Sequence, residues 1–154
     1  MSVAFRRESD EEHLEPKFEL PIPLGPNLVT PRGLALIESR NAELEAAVAA
    51  ATPEQLPELQ RDQRYWRARL ATALLAPVAS GEIVALGTNV TIAQDGKTRT
   101  LDIVGHDESD PAAGRIAFTA PLAKALIGSD IGEEVEPLGP GGPITIVAFE
   151  VRAD

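Results

Sequence analysis

The sequence predicts an α+β protein in which an antiparallel helical hairpin precedes a mostly antiparallel sheet domain with one short helix. Apolar residues recur at spacings of three and four between residues 34 and 73, which is a helical period. Further along the chain they alternate with polar residues, which is typical of half-buried strands. The period changes near Pro77. We therefore expect an extended N-terminal arm over residues 1–29, a helical hairpin over 30–76 and a sheet domain over 77–154.

The expected arm shows neither period. The acidic stretch Ser9–Glu15 is followed by Pro16, Pro21, Pro23 and Pro26. Each proline fixes its own φ angle and favours an extended residue before it, so an extended path is predicted here.

The first helix of the hairpin is predicted to begin at Pro31, with Thr30 as its N-cap. Gly33 weakens this first turn by up to about 1 kcal/mol. Thr52-Pro53 ends the helix, because proline disfavours helical geometry in the residue before it. The two helices carry matching heptad seams: Leu34, Ile37, Asn41, Leu44, Val48 and Ala51, then Leu56, Leu59, Gln63, Trp66, Leu70 and Ala73.

The sheet domain opens with two apolar strand candidates, Ile83–Leu86 and Thr88–Ile92. Asp95-Gly96 predicts a two-residue hairpin turn between alternating segments. The last strand is expected to place Ile144, Ile146 and Ala148 on one face. The acidic stretch His106–Gly114 lacks the spacing of a calcium loop, so a solvated turn is predicted rather than a metal site.

The stretch Thr119–Gly132 joins a strand to the short helix of this domain. Pro121 suits the first turn of a helix, and Gly128 is its expected stop. Such a short helix is not stable alone in water, so we expect it to lie on the sheet.

Composition excludes several classes of function. The net charge of −10 argues against direct nucleic-acid binding, which needs clustered Lys and Arg. Residues 77–154 carry 5 basic and 12 acidic side chains, so this end could be steered to a basic patch on a partner protein. There is no Cys and no apolar run long enough to span a bilayer. A cytoplasmic monomer without membrane contact is expected.

A family resemblance lies in the segment Ala120-Pro121-Leu122-Ala123-Lys124-Ala125-Leu126-Ile127-Gly128, followed by Gly132-Glu133-Glu134-Val135. This segment resembles the C-terminal domain of the bacterial Gre transcript cleavage factors. The resemblance implies a sheet domain of the FK506-binding-protein-like form. It also implies docking at the rim of the RNA polymerase secondary channel, through Thr119, Ala120, Pro121, Leu122 and Lys124.

The hairpin resembles the Gre coiled coil more loosely, in Leu28–Leu34 and Arg67–Leu70. In cleavage-active members the helices are longer, and the tip carries an acidic motif that reads roughly D-x-S-E-N-A-E-Y. Here the tip residues include Glu54, Gln55 and Glu58, without that motif. The resemblance therefore implies a polymerase-binding regulator that does not stimulate cleavage. The alternative is a true cleavage factor that uses Glu54 and Glu58 at the polymerase's own metal site.

Two functions from other classes are a prolyl isomerase and a generic protein-interaction module. A prolyl isomerase needs a pocket rich in aromatic side chains, whereas residues 77–154 contain Phe118 and Phe149 but no Trp or Tyr. A generic protein-interaction module stays open. No combination of nucleophile and base suggests independent catalysis, so we expect a protein that is not an enzyme and needs no cofactor or metal of its own.

Overall fold

The structure is a computed structural model that describes residues 19–152. The predicted course of the arm before residue 19 lies outside the described residues. The described chain forms two compact units, a hairpin unit and a sheet unit. The hairpin unit comprises residues 19–25 and 37–72, and the sheet unit comprises residues 26–36 and 73–152. The domain limits given above stay a prediction.

Helices α1 (Pro31–Ala49) and α2 (Leu56–Thr72) form the hairpin, and residues 50–55 connect them. The side chain of Ile37 is fully buried at their seam. The Asn41 side-chain amide donates to the backbone oxygens of Ile37 and Trp66, both at 2.9 Å. Because one of these acceptors belongs to α2, the predicted seam residue Asn41 fastens the two helices together.

The seam of α2 departs from the prediction near its end. Leu70 is 37% exposed, whereas its neighbour Arg69 is 3% exposed. The guanidinium of Arg69 lies 6.0 Å from the centre of the Tyr65 ring. A long arginine side chain can cover apolar surface with its methylene groups while its cation meets an aromatic face. This contact helps to account for a buried arginine beside the exposed Leu70.

The sheet unit contains a five-stranded sheet in the order β5-β4-β3-β7-β6. All neighbouring strands are antiparallel except β4 and β5, which are parallel. A separate parallel pair joins β1 to β2. The strands are β1 (Leu28–Val29), β2 (Leu74–Leu75), β3 (Thr88–Gln94), β4 (Lys97–Val104), β5 (Arg115–Ala117), β6 (Glu134–Val135) and β7 (Ile144–Val151).

The core of the sheet unit lies between one face of this sheet and helix α3 (Pro121–Leu126). Ala123 and Leu126 of α3 are fully buried against strand residues such as Ile92 and Ile146. The fold-class prediction is confirmed: a helical hairpin accompanies a mostly antiparallel sheet that carries one short helix. The predicted turn at Asp95-Gly96 is also confirmed, with φ angles of 51° and 76°, as a type I′ turn requires.

The prediction of a strand over Ile83–Leu86 is wrong. Thr88 closes a tight turn here, because its hydroxyl accepts from the Ala85 N–H at 3.2 Å and donates to the Ala85 oxygen at 2.6 Å. Such local side-chain bonds compete with strand pairing. Val84 is fully buried, and its backbone pairs with Gly128 and Ser129 after α3 instead of with a strand.

The expected alternation of the last strand is also corrected. The pairing of β3 with β7 shifts between Thr91 and Ile92, so Ala148 lies opposite Thr91 and Ile146 opposite Ile92. Val147 is the extra residue of a β-bulge, and a bulge reverses which face the following side chains occupy. As a result Phe149 packs against the core and Ala148 is exposed.

Candidate functional site

The docking loop inferred from the sequence, Thr119–Lys124, leaves β5 and begins α3. The Phe118 N–H donates to the Val104 oxygen at 2.8 Å, and the Ala120 N–H donates to the Ala117 oxygen at 2.9 Å. The Lys124 N–H then donates to the Ala120 oxygen at 2.9 Å. These backbone bonds hold both ends of the loop, so its outer side chains are presented on a fixed support.

The side chains of this loop differ in exposure. Thr119, Pro121 and Lys124 are exposed, and Ala120 and Leu122 are half-buried. Thr119, Pro121 and Lys124 therefore offer exposed side chains from this segment, whereas Ala120 and Leu122 also pack against the core.

A groove of about 210 Å³ adjoins this loop. Its lining is largely apolar, and it shares Pro121 and Leu122 with the loop. On its other sides it is bounded by Gln94, Arg99, Pro137, Leu138, Gly139, Pro140 and Ile144. The groove therefore extends the candidate surface from the loop onto strands β3 and β4.

The predicted tip residues Glu54, Gln55 and Glu58 belong to the hairpin unit and are all exposed. The Gln55 side chain accepts from the Thr52 N–H at 3.0 Å, which caps the start of the turn. Glu58 lies 3.9 Å from the Arg61 guanidinium, and its side chain is 71% exposed. Gln55 thus stabilises the connection between the helices, while Glu58 has a cation one turn further along α2.

A cluster around Glu108 was not predicted from the sequence, which indicated a solvated turn there. In the structure the Glu108 side chain is 5% exposed, and its Oε2 accepts from the Thr30 hydroxyl at 2.7 Å. The Thr30 oxygen accepts in turn from the Gly33 N–H at 3.0 Å, which confirms Thr30 as the N-cap. Arg32 lies 3.9 Å from the other carboxylate oxygen. The segment His106–Glu108 is a 3₁₀ turn that aims a carboxylate at the first turn of α1.

Gly33 is the one local signal that could have indicated this contact. A Cβ atom at Gly33 would lie 2.7 Å from Glu108 Oε2, which is closer than a Cβ atom ordinarily comes to another heavy atom. Gly33 therefore leaves room for the close approach of the Glu108 carboxylate, although the sequence alone shows it as a weak point in a helix.

Across residues 19–152 no three His, Asp or Glu side chains are arranged to hold a metal ion. In the same part of the chain, no helix is both long and apolar enough to cross a membrane.

Comparison with known proteins decides the family. Residues 79–152 match the family model described as "Transcription elongation factor, GreA/GreB, C-term". A transcription elongation factor GreA from Beijerinckia indica is 35% identical over 118 residues, which cover 73% of this chain and 73% of that protein. The chain belongs to the GreA/GreB family of transcription elongation factors. This confirms the resemblance found in the sequence.

Other members of the GreA/GreB family align over less of their length. The GreA of Bacillus licheniformis is 40% identical over 75 residues, which cover 47% of this chain and 48% of that protein. The chain thus spans about half the length of such relatives in these alignments. Among solved structures, the GreA factor homologue Gfh1 of Thermus thermophilus superposes over 82% of this chain and 99% of that one, with 18% identity and a TM-score of 0.41.

Proposed function

We propose that this GreA/GreB-family protein is a regulator of transcription that binds RNA polymerase at the rim of the secondary channel and does not stimulate transcript cleavage. It acts on the polymerase without being an enzyme itself. The observation that carries the proposal is a family-type docking loop on a rigid support, combined with a hairpin tip that lacks the acidic motif of cleavage factors.

The docking part of the proposal rests on the segment Thr119–Lys124. Loops held at both ends by backbone bonds lose little entropy on binding. Lys124 and the exposed Pro121 offer a charge and a compact apolar contact. The structure argues against the alternative of a prolyl isomerase. Phe118 and Phe149 pack against the core, so they do not supply the aromatic pocket that such an enzyme needs.

The proposed absence of cleavage stimulation rests on the chemistry of the tip. A cleavage factor must deliver carboxylate oxygens to within about 2.0–2.1 Å of a magnesium ion, and misplacement by about 1 Å can cost about 100-fold in rate. Glu58 has Arg61 beside it, and Arg61 also contacts Asp62 at 3.2 Å. The exposed 3.9 Å pair of Glu58 with Arg61 is weak, so it does not by itself prevent Glu58 from binding a metal. Glu54 and Glu58 are thus two exposed acids without the acidic motif of cleavage factors, and the missing motif supports a tip that occupies the channel without chemistry.

The test is binding of the full-length protein to core RNA polymerase. Ala120→Arg places a long cation in the docking loop and should weaken binding at least 10-fold. Ala112→Arg is the matched control, because Ala112 is an exposed alanine of the same unit in a 3₁₀ turn. Competition with a GreA cleavage factor reports whether the channel entrance is the site. Equal effects of the two variants, or no wild-type binding, would refute the proposal.

A further inference from the structure

The core face of β4 ends in two cations. Side chains at alternate positions of a strand share one face, so Lys97, Arg99, Leu101 and Ile103 lie together. Leu101 is 5% exposed and Ile103 is fully buried, whereas Lys97 and Arg99 are exposed. Arg99 lies opposite the buried Ile92 in the pairing of β4 with β3. The apolar face of the sheet therefore continues beyond the core as a positively charged surface.

Arg99 joins this surface to the groove beside the docking loop. The groove has Ile144 among its buried lining residues, and Leu138, which is 64% exposed, stands at its edge. The Gln94 amide donates to the Gly142 oxygen at 2.9 Å, which fixes the loop that carries Leu138. An apolar groove with a guanidinium on its wall can bind an apolar side chain and an anion side by side.

This surface is positively charged, whereas the segment that contains it is acidic. The 77–154 segment has 12 acidic and 5 basic side chains, and within residues 19–152 neither Lys97 nor Arg99 forms an ion pair. Asp95, in the turn between β3 and β4, lines a cavity with both cations. Asp95 accepts from the Gly142 N–H at 3.2 Å, so it is already held by the backbone. Two cations thus remain for an external anion.

We infer that this surface recognises a segment of RNA polymerase that presents an apolar side chain flanked by carboxylates. The apolar side chain occupies the groove between Leu122 and Leu138. Arg99 pairs with a neighbouring carboxylate, and Lys97 attracts the same acidic segment over a longer range. The inference rests on the proposed function, and for this face it reverses the expectation that the acidic domain meets a basic patch.

A structural explanation for the cations competes with this inference. β5 pairs with β4 over Asp102–Val104, so the part of β4 that carries Lys97 and Arg99 has an open edge on that side. Charged side chains on an open edge prevent pairing with other chains. On that explanation, removing a cation would promote self-association and leave polymerase binding unchanged.

The experiment measures binding of the full-length protein to core RNA polymerase at low and at physiological salt. Arg99→Gln and Thr98→Glu each lower the net charge by one, but Thr98 lies on the opposite face of the same strand. We expect Arg99→Gln to weaken binding about 10-fold and to flatten its salt dependence, with Thr98→Glu within 2-fold of the wild type. Leu138→Ala, at an exposed position that should not disturb folding, should weaken binding about 5-fold at both salt concentrations.

The outcomes separate this inference from the proposed function. Equal weakening by Arg99→Gln and Thr98→Glu would overturn it, because net charge alone would then explain the effect. It would also be overturned if Ala120→Arg weakens binding while Arg99→Gln and Leu138→Ala do not. Self-association of Arg99→Gln with unchanged binding would establish edge protection instead. If the wild type does not bind polymerase, the proposed function itself fails.

Discussion

Removal of the Glu108 carboxylate should destabilise the protein more than any change of a surface acid. Glu108→Ala deletes the acceptor of the Thr30 hydroxyl, which is 2.7 Å away in a buried site. A hydrogen bond to a charged group contributes about 1.5–3 kcal/mol. The carboxylate also lies at the N-terminus of α1, where a negative charge contributes about 0.3–1 kcal/mol. The contact with Arg32 adds little, because that side chain is 41% exposed and such pairs are weak.

These contributions are partly offset, because burying the carboxylate costs desolvation energy. We therefore expect Glu108→Ala to lower the free energy of unfolding by about 2–3 kcal/mol. Glu108→Gln keeps an oxygen acceptor for Thr30 and should lose about 1 kcal/mol through the missing charge.

The measurement is urea unfolding followed by circular dichroism, with Glu136→Ala as the control. Glu136 is an exposed glutamate of the same unit, and surface changes of this kind stay within about 0.5 kcal/mol. The slope of the unfolding free energy against urea should be unchanged, since the surface exposed on unfolding is the same. If Glu108→Ala is as stable as Glu136→Ala, the contact with Thr30 does not contribute as argued.

Three further predictions concern other parts of the chain. Gly33→Ala should lower the free energy of unfolding by about 1–2 kcal/mol in the wild type. In the Glu108→Ala background the same change should be neutral or stabilising, because alanine is the better helix former once the carboxylate is gone. Equal effects in both backgrounds would contradict the close approach. Asn41→Ala should cost about 1 kcal/mol, since the lost hydrogen bonds exceed the gain in helix propensity, and the fluorescence of Trp66 should report it; unchanged stability would contradict the fastening role. Added in excess, the protein should leave cleavage of backtracked RNA at the intrinsic rate of the polymerase; stimulation abolished by Glu54→Ala or Glu58→Ala would restore a cleavage factor.

Local chemistry predicted much of the fold. Thr30 before Pro31 indicated a helix start, and Asp95-Gly96 indicated a turn, because each depends on the φ and ψ preferences of adjacent residues. The contact of Glu108 with Thr30 joins residues 78 positions apart, and no periodicity reports such a pair. The bulge at Val147 depends on how β7 meets its neighbour, so it reversed an alternation that the sequence showed correctly up to Ile146.

Part of the candidate site could likewise be predicted from the sequence, and part could not. The candidate docking loop could be proposed from the family resemblance, because Thr119–Lys124 is a continuous segment, and its docking role stays a prediction. The groove beside it could not, since Arg99, Leu122 and Leu138 come from three separate segments that meet only in the folded sheet unit. From the sequence, Arg99 has the features of an ordinary surface residue. Its pairing with the buried Ile92 shows that it lies on the core face of the sheet.

The path of α1 has a consequence for how the protein can be dissected and how its family can vary. In chain order the hairpin is an insertion: residues 26–36 and 73–152 form one unit, and the hairpin occupies the interval between them. A fragment that starts at residue 77 would lose β1, β2 and the Thr30 partner of Glu108, so the appropriate minimal fragment joins residues 26–36 to residue 73 through a short linker. By the same division, a longer, shorter or exchanged hairpin tip changes residues within 37–72 and none of the residues that form the sheet unit.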